Sequence, residues 1–344
     1  MTQFIQLHLL TAYPPSNLNR DDLGRPKTAI VGGSERLRIS SQSLKRAWRT
    51  SELFETVLGE HRGTRTKRLG EQVFDRLVQK GVSENKAKKW AAAIAGQFGK
   101  LKKDSLEIEQ LAHVAPEEWE AIETLADTLA EEDREPGKDE LELLRKNPKA
   151  VDIALFGRML ASSPAYNVEA ATQVAHAITV NQVKIEDDFF TAVDDLNTHE
   201  EDAGAGHMGD AGFSSGVFYQ YICIDRDRLV ENLQGDEDLA NQAIAALTEA
   251  AAKVAPTGKQ NSFASRAYTS YLLAEKGSQQ PRSLSVAFLS AIRGNDILAK
   301  AIEKLEAQQD NFDIVYGDCA DDRRSLNAQT GDGSLREIIE FVTE

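Results

Sequence analysis

The sequence contains few cysteines and no long apolar run. Cys223 and Cys319 are the only cysteines among 344 residues, so a disulfide framework is excluded and free thiols are expected. No apolar stretch reaches the length of about 20 residues that a membrane-spanning helix requires. The N-terminus also lacks the basic and apolar regions of a secretory signal. We therefore expect a cytoplasmic protein with no membrane partner.

Positive charge is scarce overall. The chain has 40 basic and 55 acidic residues and a net charge of −15, a balance that ordinarily argues against nucleic-acid binding. The charge is segregated, however: residues 1–50 hold eight bases and three acids, residues 61–103 twelve bases and three acids, and residues 100–145 fifteen acids and six bases. Such a chain can bind phosphates on one face and repel wrong contacts with another, although charge runs also occur on ordinary solvated helices.

The strongest local signal is a strand followed by a basic amphipathic helix within residues 36–49. Ser40 or Ser41 is suited to cap the helix, because a hydroxyl accepts a hydrogen bond from the first turn. Leu44 and Trp48 then lie on one apolar stripe. The free N–H groups of the helix start and the basic residues beside them favour a bound phosphate. A plain scaffold helix has the same pattern.

Several long motifs extend this signal. They are Leu18-Asn19-Arg20-Asp21-Asp22, Gly32-Gly33, Arg38 to Arg46, Val151 to Met159, Ala175 to Thr179, Phe190 to Leu196 and Phe213 to Tyr219. In order and spacing they resemble the CasC family, the repeated backbone subunit of the type I-E CRISPR surveillance complex Cascade, within the RAMP superfamily. The resemblance covers roughly the first 225 residues.

The resemblance implies an α+β fold, with a ferredoxin-like, RRM-type palm interrupted by a large helical insertion, the fingers, and by a β-hairpin-like thumb. The palm would comprise residues 1–55 and 225–344, the fingers residues 56–180, and the thumb with its return strand residues 181–224. The residues agree in part, because a β-helix-β order is expected at both ends and residues 52–146 show helical periodicity. The usual aromatic RNA-stacking signature of an RRM is not evident.

Local patterns predict further elements. They are a strand over 4–10, helices over 167–178, 238–254 and 285–308, a short strand over 312–316, and a glycine-rich loop over 197–212 at the tip of the thumb.

By resemblance, the chain is a non-enzymatic scaffold that polymerises along CRISPR RNA and presents it for pairing with target DNA. Other copies of itself, other Cascade subunits and a separate helicase-nuclease would be its partners, and no cofactor or metal is implied. Because spacers vary, the cations should bind the sugar-phosphate backbone and not the bases. The residues assigned to the RNA are Asn19, Arg20, Lys27, Arg38, Ser40, Gln42, Lys45, Arg46, Arg49, Arg158 and Lys259, with bracing of the palm as an alternative role for Arg38. The lysines assigned to the vicinity of target DNA are Lys86, Lys88, Lys89, Lys100, Lys102 and Lys103.

A RAMP-type endoribonuclease is the alternative function. Some relatives cleave RNA with a histidine and others with a loop aspartate, which directs attention to His8, Asp21 and Asp22. A lone histidine on a strand is more often structural. Adjacent aspartates in a turn usually bind local N–H groups, and two carboxylates alone are a weak metal signal. A protein that self-associates without nucleic acid is a third possibility.

Overall fold

The computed structural model describes residues 2–192 and 207–344. Its helices are α1 (Ser41–Arg49), α2 (Glu52–Leu58), α3 (Leu69–Gln79), α4 (Glu84–Ala95), α5 (Pro116–Glu132), α6 (Val151–Phe156), α7 (Arg226–Asn232), α8 (Glu237–Lys253), α9 (Gln260–Phe263), α10 (Ile297–Tyr316) and α11 (Leu335–Thr343). Its strands are β1 (Phe4–Ser16), β2 (Thr28–Val31), β3 (Ser34–Ile39), β4 (Thr64–Thr66), β5 (Ala112–Val114), β6 (Thr172–Val174), β7 (Ala177–Thr179), β8 (Glu186–Ala192), β9 (His207–Asp225), β10 (Tyr271–Gly277) and β11 (Asp322–Asn327).

Nine of the described strands form one antiparallel sheet. Its order is β11-β10-β1-β9-β7-β3-β2, and β6 and β8 also pair with β9. The central strand β1 buries Ile5, Leu7 and Leu9 completely on one face, because residues two apart along a strand point to the same side. The predicted strand at residues 4–10 is therefore confirmed, and it continues to Ser16.

Helices α1, α2, α8 and α11 cover this face of the sheet. Trp48 of α1 and the alanine-rich stripe of α8, which includes Ala243 and Leu247, share one hydrophobic core with β1. The predicted helix over 238–254 is confirmed as α8, which begins after Asp236 because the Asp236 carboxylate accepts a hydrogen bond from the N–H of Leu239. The sheet and these helices form the α+β palm that the resemblance implied.

The opposite face of the sheet packs against α10 and the turn before it. Leu10, Tyr219 and Phe288 belong to the core on this side. The β2–β3 turn approaches the same segment so closely that a Cβ atom on Gly32 would lie 1.7 Å from the Leu289 carbonyl oxygen. Gly32 also has a positive φ of 56°, so this position requires glycine.

Residues 69–160 contain a second hydrophobic core, built mainly by α3, α4 and α5. Trp90 and Ile94 of α4 pack there with Leu77 and Ile122. The predicted helical insertion is therefore present, and it also contains the two-stranded sheet of β4 and β5. Strands β6 and β7, at residues 172–179, belong to the main sheet, so the boundary predicted at residue 180 falls too late.

The predicted thumb is a hairpin of β8 and β9. Its pairing runs from Glu186 opposite Phe213 to Ala192 opposite His207. Strand β9 continues without interruption into the palm and ends at Asp225 after 19 residues. Of the loop predicted over 197–212, residues 197–206 lie outside the described residues, and residues 207–212 form the start of β9.

Three local predictions are wrong in type or extent. Residues 167–178 are not a helix, because pairing of β6 and β7 with β9 prevails over the helical spacing of the alanines. Residues 312–316 are the end of α10 and not a strand, and α10 begins only at Ile297. The β-branched and aromatic residues there continue a helix already packed through Ala301 and Leu305. Among residues 2–192 and 207–344, no helix is long and apolar enough to cross a membrane.

Candidate nucleic-acid interface

The start of helix α1 is held by three side chains. Ser40 is the N-cap, and its hydroxyl accepts a hydrogen bond of 3.3 Å from the N–H of Ser43. The backbone N–H of Ser40 donates to Oδ1 of Asn19 at 2.9 Å, and the N–H of Ser41 donates to Nδ1 of His176 at 3.2 Å. The predicted strand, cap and helix are confirmed, and Asn19 and Ser40 have structural roles here.

Five basic side chains lie on α1 or near it. Partial burial lowers the pKa of His176, and the charges of Arg38, Lys27 and Lys45 add to this effect. Burial lowers the pKa of Lys45, and the charge of Arg65 adds to this effect. Burial and the neighbouring Arg49 lower the pKa of Arg65. We call Lys27, Arg38, Lys45, Arg49 and Arg65 the cation track.

The cation track has little counter-charge in the part of the chain that the structure describes. Arg49 is the one member that forms an ion pair there, with Nη1 3.2 Å from Oδ2 of Asp152. The Asp152 side chain is fully buried. Positive groups that approach one another without carboxylates raise the energy of the free protein, and a bound polyanion would lower it.

A cleft of about 480 Å³ lies on another side of α1. Arg20 and Arg46 line it together with Asn19, Asp22 and Gly258. The loop that contains Gly258 packs tightly on the N-terminal loop, because a Cβ atom on Gly258 would lie 2.2 Å from the Leu18 carbonyl oxygen. The structure thus brings Arg20 and Arg46 to a common surface.

Comparison with known proteins identifies the family. A family model described as CT1975-like protein (Cas_CT1975) matches residues 5–340. The chain belongs to this family. It is similar to a chain of a solved structure titled "CRISPR RNA-guided surveillance complex, pre-nicking", with 31% sequence identity, a TM-score of 0.85 and 99% of each chain covered. A chain of a second structure, titled "CRISPR RNA-guided surveillance complex", shows 26% identity, a TM-score of 0.76 and 99% coverage of each chain.

No curated protein sequence matches the chain. The predicted fold and the relationship to a subunit of a CRISPR surveillance complex are confirmed by the family model and the two structures. The type I-E subtype stays a prediction.

The remaining predicted RNA residues differ in their surroundings. Gln42 is exposed on α1. Lys259 has a positive φ of 48°, and its ammonium lies 6.0 Å from the centre of the Phe190 ring on the thumb hairpin. Lys259 therefore joins its loop to β8, at the edge of the surface formed by α1.

Arg158 corrects the sequence-based assignment. Its side chain is fully buried, and its Nη1 donates to both carboxylate oxygens of Glu118 at 2.9 and 2.7 Å. Its Nη2 donates to the carbonyl of Arg145 at 2.6 Å. Gly157 has a positive φ of 79°, which turns the chain so that the next side chain enters the insertion core. Arg158 is a structural residue and is not accessible to RNA.

Four of the six lysines assigned to the vicinity of DNA form ion pairs within the insertion. These pairs are not evident in the sequence, because the acidic partners of two lysines lie about 46 residues away, just after α5. The basic and acidic charge runs thus partly neutralise each other. Lys88 and Lys103 are exposed, and neither forms an ion pair with a described carboxylate. The four pairs are Lys86–Asp133 (2.6 Å), Lys89–Glu135 (2.6 Å), Lys100–Glu109 (2.9 Å) and Lys102–Glu107.

Two of the residues considered for RNA cleavage, His8 and Asp21, are engaged in hydrogen bonds, whereas Asp22 is exposed in the cleft. His8 is fully buried, with Nε2 3.0 Å from the Glu275 carboxylate and Nδ1 2.9 Å from the Tyr219 hydroxyl. Burial lowers the pKa of His8 despite the carboxylate. Asp21 accepts hydrogen bonds of 2.9 Å from the N–H groups of Leu23 and Arg25, as expected for a turn. Within the described residues, no group of three or more His, Cys, Asp or Glu side chains is arranged to hold a metal ion.

Proposed function

We propose that this chain is the guide-RNA-binding backbone subunit of a Cascade complex of type I-E. The observation that carries the proposal is the cation track along α1, which has one buried carboxylate as counter-charge among the described residues. The two similar structures are titled as RNA-guided surveillance complexes. In such a complex, the guide RNA supplies the negative charge that the free chain lacks at this surface.

The track is suited to the sugar-phosphate backbone. Lysine and arginine side chains bind phosphate oxygens without reading the base, so one subunit accepts any spacer. The thumb hairpin adds an aromatic side chain, Phe189, which is 66% exposed. Aromatic rings stack on unstacked bases in single-stranded RNA, and this supports a role for the thumb in holding and kinking the guide. Target DNA would then pair with the presented bases in interrupted segments.

The scaffold would act with partners. Further copies of the chain would bind along one guide, other Cascade subunits would close its ends, and a separate helicase-nuclease would cut the DNA. A non-enzymatic role is supported by the buried position of His8 and by the turn that occupies the Asp21 carboxylate. The protein would act in the cytoplasm in antiviral defence.

Binding of single-stranded RNA by the full-length chain tests the proposal. Lys45→Glu reverses one track charge, and Lys304→Glu makes the same charge change on the exposed surface of α10. We expect Lys45→Glu to weaken two RNAs of unrelated sequence by the same factor, about 10-fold or more, and Lys304→Glu to change affinity less than about 2-fold. Equal effects of the two substitutions, or a loss confined to one RNA sequence, would contradict the proposal.

A nuclease assay separates the scaffold from the endoribonuclease. Asp22→Ala removes an exposed carboxylate of the cleft, whereas His8→Ala also removes a buried hydrogen-bonded ring. The scaffold predicts that guide RNA stays intact with the wild-type chain and with both variants. Cleavage by the wild type that Asp22→Ala or His8→Ala abolishes would favour the enzyme.

A further inference from the structure

Asp152 joins the palm to the helical insertion. Its Oδ2 accepts hydrogen bonds from Arg49 Nη1 at 3.2 Å and from His113 Nε2 at 2.8 Å. Its Oδ1 accepts a bond of 2.8 Å from the N–H of Gly63. The carboxylate therefore connects α6 to helix α1, to strand β5 and to the residue before β4. These bonds engage both carboxylate oxygens of Asp152.

Arg65 belongs to the same network. It is an exposed residue of β4, and its Nε donates to Nδ1 of His113 at 3.3 Å. This bond requires a neutral imidazole with its proton on Nε2, the atom that donates to Asp152. Burial, with the charges of Arg65 and Arg49 adding to it, lowers the pKa of His113 although Asp152 opposes the shift. His113 thus orients the guanidinium of Arg65.

The charges of this network do not balance. Arg49 binds the Asp152 carboxylate directly, and Arg65 reaches it through His113. The Lys45 ammonium lies 5.9 Å from the centre of the Phe156 ring, one helical turn after Asp152 on α6. Neither Lys45 nor Arg65 forms an ion pair with any carboxylate in residues 2–192 or 207–344. With Nε engaged by His113, the two terminal nitrogens of Arg65 have no hydrogen bond to a described residue. A guanidinium whose two terminal nitrogens are available can donate two hydrogen bonds to the oxygens of one phosphate.

We propose that Arg65 and Lys45 bind one backbone phosphate of the guide RNA where the insertion meets α1, and that His113 positions Arg65 for this contact. The inference rests on the proposed function and extends it to the insertion. The helical insertion would then hold the guide directly, through a residue that lies outside the sequence signature.

Arg65→Ala and Arg68→Ala form a matched pair for the test. Both remove one positive charge from an exposed arginine, three residues apart in the sequence, but Arg68 is ion-paired to Glu71. We expect Arg65→Ala to weaken RNA binding by the full-length chain about 5- to 10-fold and to lower the slope of log affinity against log salt by about 0.7, the value for one single-strand contact. Arg68→Ala should change affinity less than about 2-fold.

The role of His113 has its own readout. Protonation of His113 at low pH places a proton on Nδ1 and removes the acceptor for Arg65. From pH 7.5 to pH 5.5, the RNA affinity of the wild type should therefore fall relative to the affinity of Arg65→Ala. His176 is present in both proteins, so its contribution cancels in this comparison. Arg65→Lys keeps the charge without the Nε bond, so we expect intermediate affinity and the weaker pH response of Arg65→Ala.

The outcomes separate this inference from the proposed function. Loss of binding in Lys45→Glu, together with equal affinities of Arg65→Ala and Arg68→Ala, would overturn the role of Arg65 and leave the scaffold intact. Full binding by Lys45→Glu, or no RNA binding by the wild type, would overturn both. A wild-type pH response identical to that of Arg65→Ala would overturn the positioning role of His113.

Discussion

The guanidinium of Arg158 and the carboxylate of Glu118 form a fully buried ion pair, with Nη1 2.7 Å from Oε2. Glu118 also accepts bonds from the N–H groups of Ala115 and Arg145, so its charge is fixed in the insertion core. Arg158→Met should lower the free energy of unfolding by about 3–5 kcal/mol, because it leaves this carboxylate buried and unpaired. Urea denaturation measures the change.

The double variant Arg158→Met with Glu118→Gln is the control. It removes both charges, so it should be more stable than Arg158→Met alone. A single variant as stable as the wild type, with weakened RNA binding, would instead restore Arg158 to the RNA interface.

Ser40 caps α1 near the cation track, and two substitutions separate its effect on stability from an effect on RNA binding. As the N-cap of α1, it accepts from the N–H of Ser43, and Ser40→Ala should lower the free energy of unfolding by about 1 kcal/mol. Ser40→Asp keeps a capping oxygen and should retain more stability than Ser40→Ala. The added negative charge beside the cation track should nevertheless weaken RNA binding. Thermal unfolding and RNA titration of both variants test this, and equal RNA affinities for Ser40→Asp and the wild type would contradict it.

Two buried histidines predict acid sensitivity. Burial lowers the pKa of His8 and of His113 from the usual value of 6.5, so the unfolded chain binds more protons than the folded chain below that pH. The free energy of unfolding should fall as the pH decreases from 6.5 towards 5, by at most about 1.4 kcal/mol per pH unit for each histidine. Urea denaturation at several pH values tests the slope.

His113→Gln removes one titrating group, so it should reduce the slope of the free energy of unfolding against pH by up to about 1.4 kcal/mol per pH unit. Between pH 7 and pH 8 the wild type and the variant should both show little dependence from these groups, because the histidines are neutral in both states there. A free energy of unfolding that stays constant from pH 7 to pH 5 would show that neither imidazole changes its protonation on unfolding.

The insertion lysines divide into two sets with equal charge. Lys86 and Lys89 are paired with acids, whereas Lys88 and Lys103 are exposed without a described partner. If the insertion lies near target DNA, replacing Lys88 and Lys103 by alanine should weaken DNA binding by the assembled complex more than replacing Lys86 and Lys89. Each lost contact should also lower the salt slope by about 0.7–0.9.

Salt-dependent DNA titration of the two double variants compares the sets directly. Since exposed ion pairs contribute at most about 1 kcal/mol, both variants should fold. A larger loss for Lys86 and Lys89 would place the DNA on the paired face instead.

The sequence predicted the parts of the molecule that local rules determine. The Ser40 cap, the helix that follows it and the alternation of Ile5, Leu7 and Leu9 require only hydroxyl capping and side-chain periodicity. The resemblance added the thumb and the insertion. Pairings between distant segments were not predictable, because spacing along the chain does not encode them.

Distant pairings explain each site correction. Arg158 meets Glu118 across 40 residues, and Lys86 meets Asp133 across 47. Arg65 reaches the track because β4 pairs with β5, where His113 faces Asp152. A single sequence shows these residues only as ordinary charged positions on separate elements. Their partners are defined by the tertiary structure.

The unbroken course of β9 links the thumb directly to the centre of the palm sheet. A strand of 19 residues extends roughly 60 Å at about 3.3 Å per residue, and its part from Ser214 to Asp225 pairs with β1 on one side and with β6 and β7 on the other. The hairpin is also tied to the palm loops, because Arg25 forms an ion pair of 3.0 Å with Asp187 and the side-chain amide of Asn17 donates to the Gly212 carbonyl at 2.9 Å. Any change in the position of β9 within the palm, such as one caused by a substitution in the core under β1, is therefore passed to the thumb along a single continuous strand.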